Sequence, residues 1–343
     1  MQEGARPGSN AGTVRIRDVA RAAGVSPATV SRVLNNTADV SPERSERVRK
    51  AVEELSYRPN GAARSLRTKA ARVLGLVISD ITNPFFTSLV RGVEDAAQAS
   101  GYSVILANSD ENIDKETSYL QVAASEQLSG VVLSPASATR SRVDLLRRHH
   151  IPVVTIDRRV RDRTVDSVTI DNRAAGREAT EYLLGAGCRR VAIITGPRRT
   201  STATGRLAGY RQALKAAGRQ LNGDLVTYSD FRIEGGYAET AQLLRQRPRP
   251  DGLLVANNLM TVGAVHALED AGLSCPDDLA VVGFDDMSWA LGRRAGLALV
   301  SQPTYDIGHS AASLLLRRVG KDSIPTQHLV LPATLLIPGE RAR

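Results

Sequence analysis

The feature that most constrains the fold is an alternation of short apolar runs with amphipathic segments, which begins near residue 72 and continues through most of the chain. The runs are rich in β-branched residues and are shorter than typical helices. They are Val73–Ser79, Tyr102–Ala107, Gly130–Ser134, Ile151–Ile156, Val165–Ile170, Arg190–Thr195, Gly252–Ala256 and Leu279–Phe284. Continuous apolar strands that alternate with helices predict parallel sheets covered on both faces.

The segments between these runs have the apolar spacing of helices. The clearest are Pro84–Ser100, Arg173–Ala186, Arg206–Gly218 and Leu259–Gly272. About 270 residues of this pattern are more than one core accommodates, so the sequence predicts an α/β body with two lobes. We expect lobe 1 at about 72–168 and 303–327, and lobe 2 at about 169–302 and 328–340. Because ligands in such folds bind outside the carboxyl ends of the strands, we expect a cleft between the lobes.

The charge of the chain is unevenly distributed. The net charge is +9, but residues 1–72 hold 14 Lys and Arg against 7 Asp and Glu, whereas the remainder holds 31 against 29. A small basic unit beside a nearly neutral body indicates that the first part binds nucleic acid. A solvated basic surface would give the same count, so the charge alone leaves both interpretations open.

Composition excludes several classes of protein. No apolar run approaches the roughly 18 residues that span a bilayer, and residues 1–13 lack the apolar core of a secretory signal. We expect 1–13 to be a disordered tail, and the protein to be cytoplasmic and nucleoid-associated, with no membrane partner. Cys188 and Cys275 lie far apart without a CxxC or histidine pattern, which predicts reduced thiols, no metal site and no cofactor.

The most specific local signal is DVARAAGVSPATVSRVLN, Asp18–Asn35, within a helical region that we place at 14–58. Val19, Ala20 and Ala23 would give a short helix one apolar face, and Gly24 permits a tight turn. Ser26 followed by proline is a typical start for a second helix. Two short helices joined in this way form a helix-turn-helix, whose second helix enters the major groove by its N-terminal end.

We expect Val30, Val33 and Leu34 to pack that second helix inward. The residues left to contact DNA are Pro27, Ala28, Thr29, Ser31, Arg32 and Asn35. Arginine can bind a guanine edge or a phosphate, and the hydroxyls suit phosphates. Proline and alanine offer only apolar contact, for example with a thymine methyl. A plain helical hairpin without DNA contact is the alternative. A third helix is expected from Ser41 to about Leu55.

This region resembles the headpiece of the LacI/GalR family of bacterial repressors, and Ser56–Arg67 is similar to the hinge of that family. The likeness continues to about residue 308. It is carried by GLVISDITNPFF (75–86), IPVVTIDRR (151–159), GRLAGY (205–210), ANNLMTVGA (256–264), VVGFDD (281–286) and QPTYDIG (302–308). The resemblance implies a periplasmic-binding-protein-like body and a homodimer that represses transcription at a palindromic double-stranded operator. It also implies allosteric control by a small polar effector of the sugar class.

Residues 59–71 are predicted to be the hinge. Asn60–Arg67 can form only about two helical turns, weakened by a glycine, so this helix should order only with outside support. The resemblance implies that the support comes from paired hinge helices of a dimer in the minor groove. Leu66 would then be wedged into the central base step, with Ala63 packed beside it and Arg64 near the DNA backbone. The alternative for Leu66 is an exposed linker residue.

The resemblance also implies a set of effector-binding residues at the strand ends. They are Ser79, Asp80, Asn83, Phe85, Asp157, Arg158, Thr202, Arg206, Phe231, Asn257, Asp285 and Gln302, with Thr200 nearby. Their chemistry fits a polyol, because carboxylates and amides bond to hydroxyls and phenylalanine rings offer flat faces to a sugar. Arg206 can hold a hydroxyl pair or a carboxylate. For Asn257 and Asp285 the alternative role is capping of a helix N-terminus.

Other features of the sequence bear on the effector, the oligomeric state and the competing functions. Asn258 stands where the family more often has aspartate, which leaves the effector's identity open. No leucine heptad follows QPTYDIG, so a dimer is favoured over a tetramer. A free solute-binding protein would share the body but not the headpiece, and an enzyme of this class would need a phosphate-binding loop or a nucleophile with a base, neither of which the sequence contains. The acidic pair Asp285–Asp286 has no further carboxylates near it in the sequence.

Overall fold

The computed structural model describes residues 14–35, 40–55, 57, 71–285, 296–319 and 324–337. The chain divides into two compact units, residues 1–70 and 71–343. The predicted tail lies outside the described residues, and so does the hinge helix with Ala63, Arg64 and Leu66.

The first unit is a three-helix headpiece formed by α1 (Ile16–Ala23), α2 (Pro27–Asn35) and α3 (Pro42–Glu54). A small core of Val19, Ala20, Ala23, Val30, Val48 and Ala51 lies among them. Gly24 ends α1 in the left-handed conformation with φ of 61°, which a residue without a Cβ adopts at little cost. The predicted helix-turn-helix is confirmed.

The second unit contains two six-stranded sheets. The first has the order β11-β5-β4-β3-β1-β2. Its strands are β1 (Ala71–Ile78), β2 (Ser103–Asn108), β3 (Leu128–Leu133), β4 (Val153–Ile156), β5 (Asp166–Ile170) and β11 (His328–Leu331). The second has the order β12-β10-β9-β8-β6-β7. Its strands are β6 (Val191–Thr195), β7 (Val226–Tyr228), β8 (Gly252–Val255), β9 (Ala280–Phe284), β10 (Ala298–Ser301) and β12 (Thr334–Leu336).

All pairings in these sheets are parallel except that of β10 with β12. The central strands are buried on both faces, which explains why they read as unbroken apolar runs. The two-lobed α/β body with parallel sheets is confirmed.

One predicted lobe boundary is wrong. Strand β5 ends at Ile170, close to the predicted change of lobe at about 168, but β11, expected in lobe 2, belongs to lobe 1, because it pairs in parallel with β5 and covers that edge of the sheet. The sequence-based prediction assigns 328–340 to lobe 2 as a block. Only the last strand, β12, lies there, because the chain crosses to lobe 2 once more between β11 and β12. A short strand with partly exposed residues carries no sequence signal for the sheet it joins.

Helices cover both faces of each sheet. They are α4 (Phe85–Ala99), α5 (Ile113–Ser125), α6 (Val143–Arg148), α7 (Asn172–Gly185), α8 (Ser201–Ala216), α9 (Ile233–Leu244), α10 (Asn258–Asp270) and α11 (Thr304–Arg318). Three pairs lie in closest contact, α4 with α11, α7 with α8, and α9 with α10. No helix in the described ranges is long and apolar enough to cross a membrane.

Helices α7 and α8 approach each other through two glycines. A Cβ at Gly176 would lie 2.4 Å from the carbonyl oxygen of Arg206, and a Cβ at Gly209 would lie 2.1 Å from that of Arg173. These distances are shorter than any real Cβ contact, so both positions require glycine. The contact fixes the backbone of Arg206 at the end of lobe 2 that faces lobe 1.

Candidate DNA-reading helix and effector cleft

The exposed face of α2 is small and starts at the first residue of the helix, Pro27. Pro27, Ala28 and Arg32 are exposed, and Thr29 is half-buried. The backbone N–H of Thr29 donates to Ser26 Oγ at 3.1 Å, so Ser26 caps the helix as predicted. The N-terminal end of α2 is therefore free of the headpiece core. The side chain of Asn35 lies outside the described residues.

The expectation that Ser31 lies on this outer face is wrong. Only 4% of its surface is exposed. Helix α2 packs against both α1 and α3, so its inward face is wider than the one stripe formed by Val30, Val33 and Leu34. A small side chain such as that of serine fits this wider face.

The main cleft of the second unit lies between the two sheets, at the carboxyl ends of their strands. It is open to solvent at one side and leaves only about 40 Å³ of free space between its walls. Every predicted effector residue except Ser79 and Thr200 lines it. The lining also includes Phe86, Glu111, Asp230 and Arg232, which the sequence reasoning missed.

Ser79 lies behind the cleft wall. Its side chain is fully buried and its Oγ bonds to Ser134 Oγ at 2.8 Å. Its carbonyl oxygen accepts from the backbone N–H of Glu111 at 2.9 Å. Ser79 thus supports the turn after β2 and does not itself line the cleft, because it directly follows β1, one residue before the chain reaches open space.

The lobe 1 wall is built around Arg158, the second residue after β4. Its two Nη atoms donate to the two carboxylate oxygens of Glu111 at 2.6 and 2.7 Å. Asp157 has φ of 61° and places its carboxylate 3.4 Å from Nε of Arg158. Burial raises the pKa of Asp157 despite the neighbouring guanidinium groups of Arg158 and Arg206. The wall therefore presents a planar cation held between carboxylates.

The lobe 2 wall is built around Arg206. Its Nε donates to Asn172 Oδ1 at 2.8 Å and its Nη1 to the carbonyl oxygen of Ala256 at 2.6 Å. The guanidinium carbon lies 3.9 Å from the centre of the Phe284 ring, where a cation is attracted to the face of the ring. Burial lowers the pKa of Arg206, although Asp285 and Asp157 oppose that shift. This arginine is rigidly placed to donate into the cleft.

Asn257 and Asp285 complete lobe 2. Asn257 accepts from the backbone N–H of Met260 at 3.0 Å, so it caps α10 while it lines the cleft. Its Nδ2 donates to the carbonyl oxygen of Phe231 at 3.0 Å. Gln302 donates to Asp285 Oδ1 at 2.5 Å. The capping alternative considered for Asn257 thus describes one of its two roles.

Two local expectations about lobe 2 are corrected. Helix α8 begins at Ser201, so Thr202 lies in its first turn and Arg206 lies well inside the helix instead of opening it. Phe231 was expected to end a strand, but β7 ends at Tyr228 and Phe231 follows in a turn with φ of 66°. The predicted start of α8 at Arg206 is five residues too late, because the threonine-rich start of this helix has weak helical periodicity.

Several polar contacts join the lobes directly. Asn258 Nδ2 donates to Asn83 Oδ1 at 2.8 Å, and the backbone N–H of Arg159 donates to Ser201 Oγ at 3.0 Å. Arg232 lies 3.3 Å from Asp110. The cleft is thus closed in this structure. Asn258, singled out as a departure from the family pattern, lies at one of these contacts.

The four cleft residues that the sequence did not reveal differ in the strength of their sequence signals. Phe86 adjoins Phe85, and its ring packs edge-on against it with centroids 5.0 Å apart. Glu111 lies three residues after the end of β2, further from its strand than Asp157 or Asp285, which directly follow theirs. Asp230 and Arg232 flank Phe231 in a turn that no pattern marks. No group of three or more potential metal ligands occurs among the described residues, and both cysteines are free thiols.

A helix-turn-helix headpiece together with a closed polar cleft between two parallel-sheet lobes defines a ligand-responsive DNA-binding regulator. Comparison with known proteins agrees. Residues 15–60 match the model for bacterial regulatory proteins of the lacI family, and residues 71–338 match that for periplasmic binding proteins and the sugar binding domain of the LacI family. The chain belongs to the LacI family.

Curated relatives and solved structures extend over nearly the whole chain. The ribose operon repressor of Halalkalibacterium halodurans is 38% identical over 94% of this chain and 95% of its own length. The catabolite control protein A of Priestia megaterium is 34% identical over 93% and 96%. A structure of the lac repressor dimer bound to operator and the anti-inducer ONPF superposes with a TM-score of 0.83 at 25% identity, covering 95% and 98%. These relatives are transcriptional regulators.

Proposed function

We propose that this protein is a dimeric repressor that binds a palindromic operator on the nucleoid and is controlled by a neutral monosaccharide of the aldopentose class, with ribose as the first candidate. The observation that carries the proposal is the closed cleft between Arg158 and Arg206. Both arginines are buried, both are held by fixed partners, and both face the same space.

The chemistry of the lining favours a polyol. Carboxylate, amide and guanidinium groups from both lobes converge on it, so a ligand with hydroxyls around a ring can bond to both walls at once. Phe85, Phe86 and Phe231 supply apolar faces to the same space. Few other small molecules combine an apolar ring face with hydroxyls on every side.

The size of the cleft favours a single sugar ring. The walls already touch through the Asn83–Asn258 hydrogen bond, and the guanidinium carbon of Arg158 in lobe 1 lies 5.4 Å from the centre of the Phe231 ring in lobe 2. A second ring would have to break these contacts. The relative that is a ribose operon repressor supports a pentose as the first ligand to test.

A surface of lobe 1 fits a dimer contact. Strand β2 forms the edge of its sheet and carries Ile105, which is 56% exposed, and α5 carries Val122, which is 55% exposed. Between them lies an apolar groove that also includes Tyr119, Leu128 and Val131. An exposed sheet edge with apolar neighbours is a surface that proteins usually cover. The lac repressor relative is a dimer, which supports a second copy as the cover.

The test combines DNA and sugar binding on the full chain. Gel-shift assays with palindromic fragments from the chromosome surrounding the gene should give a specific complex. Isothermal titration calorimetry with ribose, other pentoses, hexoses and a disaccharide such as cellobiose should show heat with a pentose only. A disaccharide that binds more tightly than any pentose would overturn the size argument, and the absence of a specific DNA complex would overturn the regulator.

The same titration repeated with operator present tests the allosteric link. If the sugar changes operator affinity, the operator must change sugar affinity by the same factor, for which typical coupling energies are about 1–3 kcal/mol. Equal sugar affinity with and without operator would show that the cleft does not control DNA binding.

A further inference from the structure

A strained turn after β2 places one carboxylate at the edge of the cleft. Asp110 and Glu111 have φ values of 55° and 56°, in the left-handed region that side chains other than glycine, asparagine and aspartate rarely adopt. The turn is held by backbone bonds from Glu111 N–H to the Ser79 carbonyl and from Asn112 N–H to the Ser109 carbonyl, both 2.9 Å long. Such conformations persist only where their surroundings fix them, and they concentrate at functional sites.

The turn brings Glu111 into a two-point contact with Arg158. The guanidinium group is 7% exposed and the Glu111 side chain 25%, so this ion pair is largely removed from water. Burial by itself would lower the pKa of Arg158, but the contacts with Glu111 and Asp157 raise it above its usual value. The arginine therefore stays charged, and most of its charge is balanced by Glu111 before any ligand arrives.

The charges that face the cleft are not in balance overall. Its lining contains five carboxylates, Asp80, Glu111, Asp157, Asp230 and Asp285, against three guanidinium groups, Arg158, Arg206 and Arg232. Glu116, fully buried beside Arg158 and Glu111, accepts from the backbone N–H of Ala136 at 2.6 Å and adds a further acidic group behind the wall. A negatively charged ligand would enter an environment that already has excess negative charge.

We propose that Glu111 determines the charge selectivity of the cleft by neutralising Arg158, so that the site accepts uncharged sugars and rejects phosphorylated or carboxylated ones. This inference rests on the proposed function and concerns the same site. Glu111 acts through Arg158 and does not need to touch the ligand. Without it, Arg158 would become an open two-point donor for a phosphate or carboxylate, the geometry in which arginine binds anions most strongly.

The expected size of the effect follows from Coulomb's law. Removing a unit charge about 8 Å from a bound anion, at an effective dielectric constant of about 20, corresponds to about a 30-fold gain in anion affinity. In Glu111→Gln the affinity for a neutral sugar should fall only several-fold, because the introduced amide can still accept one hydrogen bond from Arg158. The ratio of the two affinities is therefore the quantity to measure, since a general loss of structure cannot improve the binding of one ligand.

The experiment compares wild type, Glu111→Gln, Glu111→Asp and Asp114→Asn by calorimetry with ribose, ribose 5-phosphate and inorganic phosphate at constant ionic strength. Asp114 is exposed at the start of α5, so its substitution removes the same charge without touching the cleft. Inorganic phosphate is small enough to enter without steric restriction. Glu111→Ser provides a second neutral variant, and thermal unfolding confirms that each variant is folded.

Glu111→Gln and Glu111→Ser should bind both phosphates and should show competition between phosphate and ribose. Wild type, Glu111→Asp and Asp114→Asn should show neither. The inference is overturned if the neutral variants keep the wild-type ratio, if Glu111→Asp behaves like Glu111→Gln, or if wild type itself binds ribose 5-phosphate more tightly than ribose. Failure of the proposed effector would appear separately, as no heat with any neutral sugar, while the phosphate titrations would still report on Glu111.

Discussion

Replacement of Arg206 by alanine is the substitution whose consequences the structure defines best. The side chain is 3% exposed and makes bonds of 2.8 Å to Asn172 and 2.6 Å to the Ala256 carbonyl. Truncation removes these bonds, the contact with the Phe284 ring and the donors that face the ligand. A buried hydrogen bond to a charged group contributes about 1.5–3 kcal/mol, so loss of one such bond to the sugar should weaken binding about 10- to 150-fold.

The assay is calorimetric titration of the sugar into Arg206→Ala, with Arg211→Ala as the matched control. Arg211 lies on the same helix, α8, but is exposed and does not line the cleft. Arg206→Lys keeps the charge but not the fork, so its affinity should fall between those of wild type and Arg206→Ala. Operator binding without sugar should be unchanged in all three variants, because the headpiece is a separate unit.

A sugar affinity of Arg206→Ala within about two-fold of wild type would refute the assignment of lobe 2 as a ligand-binding wall, since the loss of even one charged bond predicts at least about a 10-fold change. Equal losses in Arg206→Ala and Arg211→Ala would point instead to a general disturbance of α8.

Packing and buried ionisable groups give three further predictions. Gly176→Ala on α7 should lower both stability and sugar affinity, because its Cβ would displace the backbone of Arg206 on α8. Gly185→Ala, also on α7, places its Cβ where nothing lies within 4 Å and should leave both unchanged. Equal behaviour of the two variants in thermal unfolding and calorimetry would contradict this. Burial raises the pKa of Glu116 above 4.5, so the contribution of this carboxyl group to stability is present at low pH and is lost as pH rises through the raised pKa. Glu116→Gln should therefore raise the melting temperature at about pH 7.5 but not at about pH 4. An equal gain at both pH values would show that burial of the charge is not the cause. Burial raises the pKa of the Cys275 thiol to about 11 and that of Cys188 above its usual value. In timed alkylation with iodoacetamide at about pH 8, both thiols should therefore react far more slowly than free cysteine. A rate equal to that of free cysteine would contradict the raised pKa values.

Much of the fold and of the cleft could be predicted because parallel strands impose a simple rule. Their interiors read as apolar runs, and whatever polar residue follows such a run lies at the common edge where ligands bind. The resemblance to the family implied Asp157, Asn257 and Asp285 together with Arg206 and Gln302, and the first three also satisfy this rule. The same rule explains the error at Ser79, where a shift of one residue separates a buried strand end from the cleft.

What the sequence did not reveal depends on three-dimensional neighbours. Glu111 gains its importance from a left-handed turn and from an arginine 47 positions further along the chain, and neither is visible in a local pattern. Ser31 is buried because two helices, not one, pack against α2. Strand β11 joins lobe 1 because β5 offers it an open edge, and a four-residue strand has no property that identifies its partner in advance.

The three crossings between the lobes also determine the order in which a newly made chain can acquire its structure. Lobe 1 begins first, with β1 to β5, but its helix α4 remains uncovered until α11 is synthesised, and its outer strand β11 comes later still. The intervening stretch, residues 171–303, takes roughly 7–27 s at about 5–20 residues per second, and in that time lobe 2 can assemble five of its six strands. Lobe 1, which leaves the ribosome first, thus stays incomplete for longer than lobe 2, and a chain interrupted before residue 304 would expose the apolar face of α4 to chaperones and proteases.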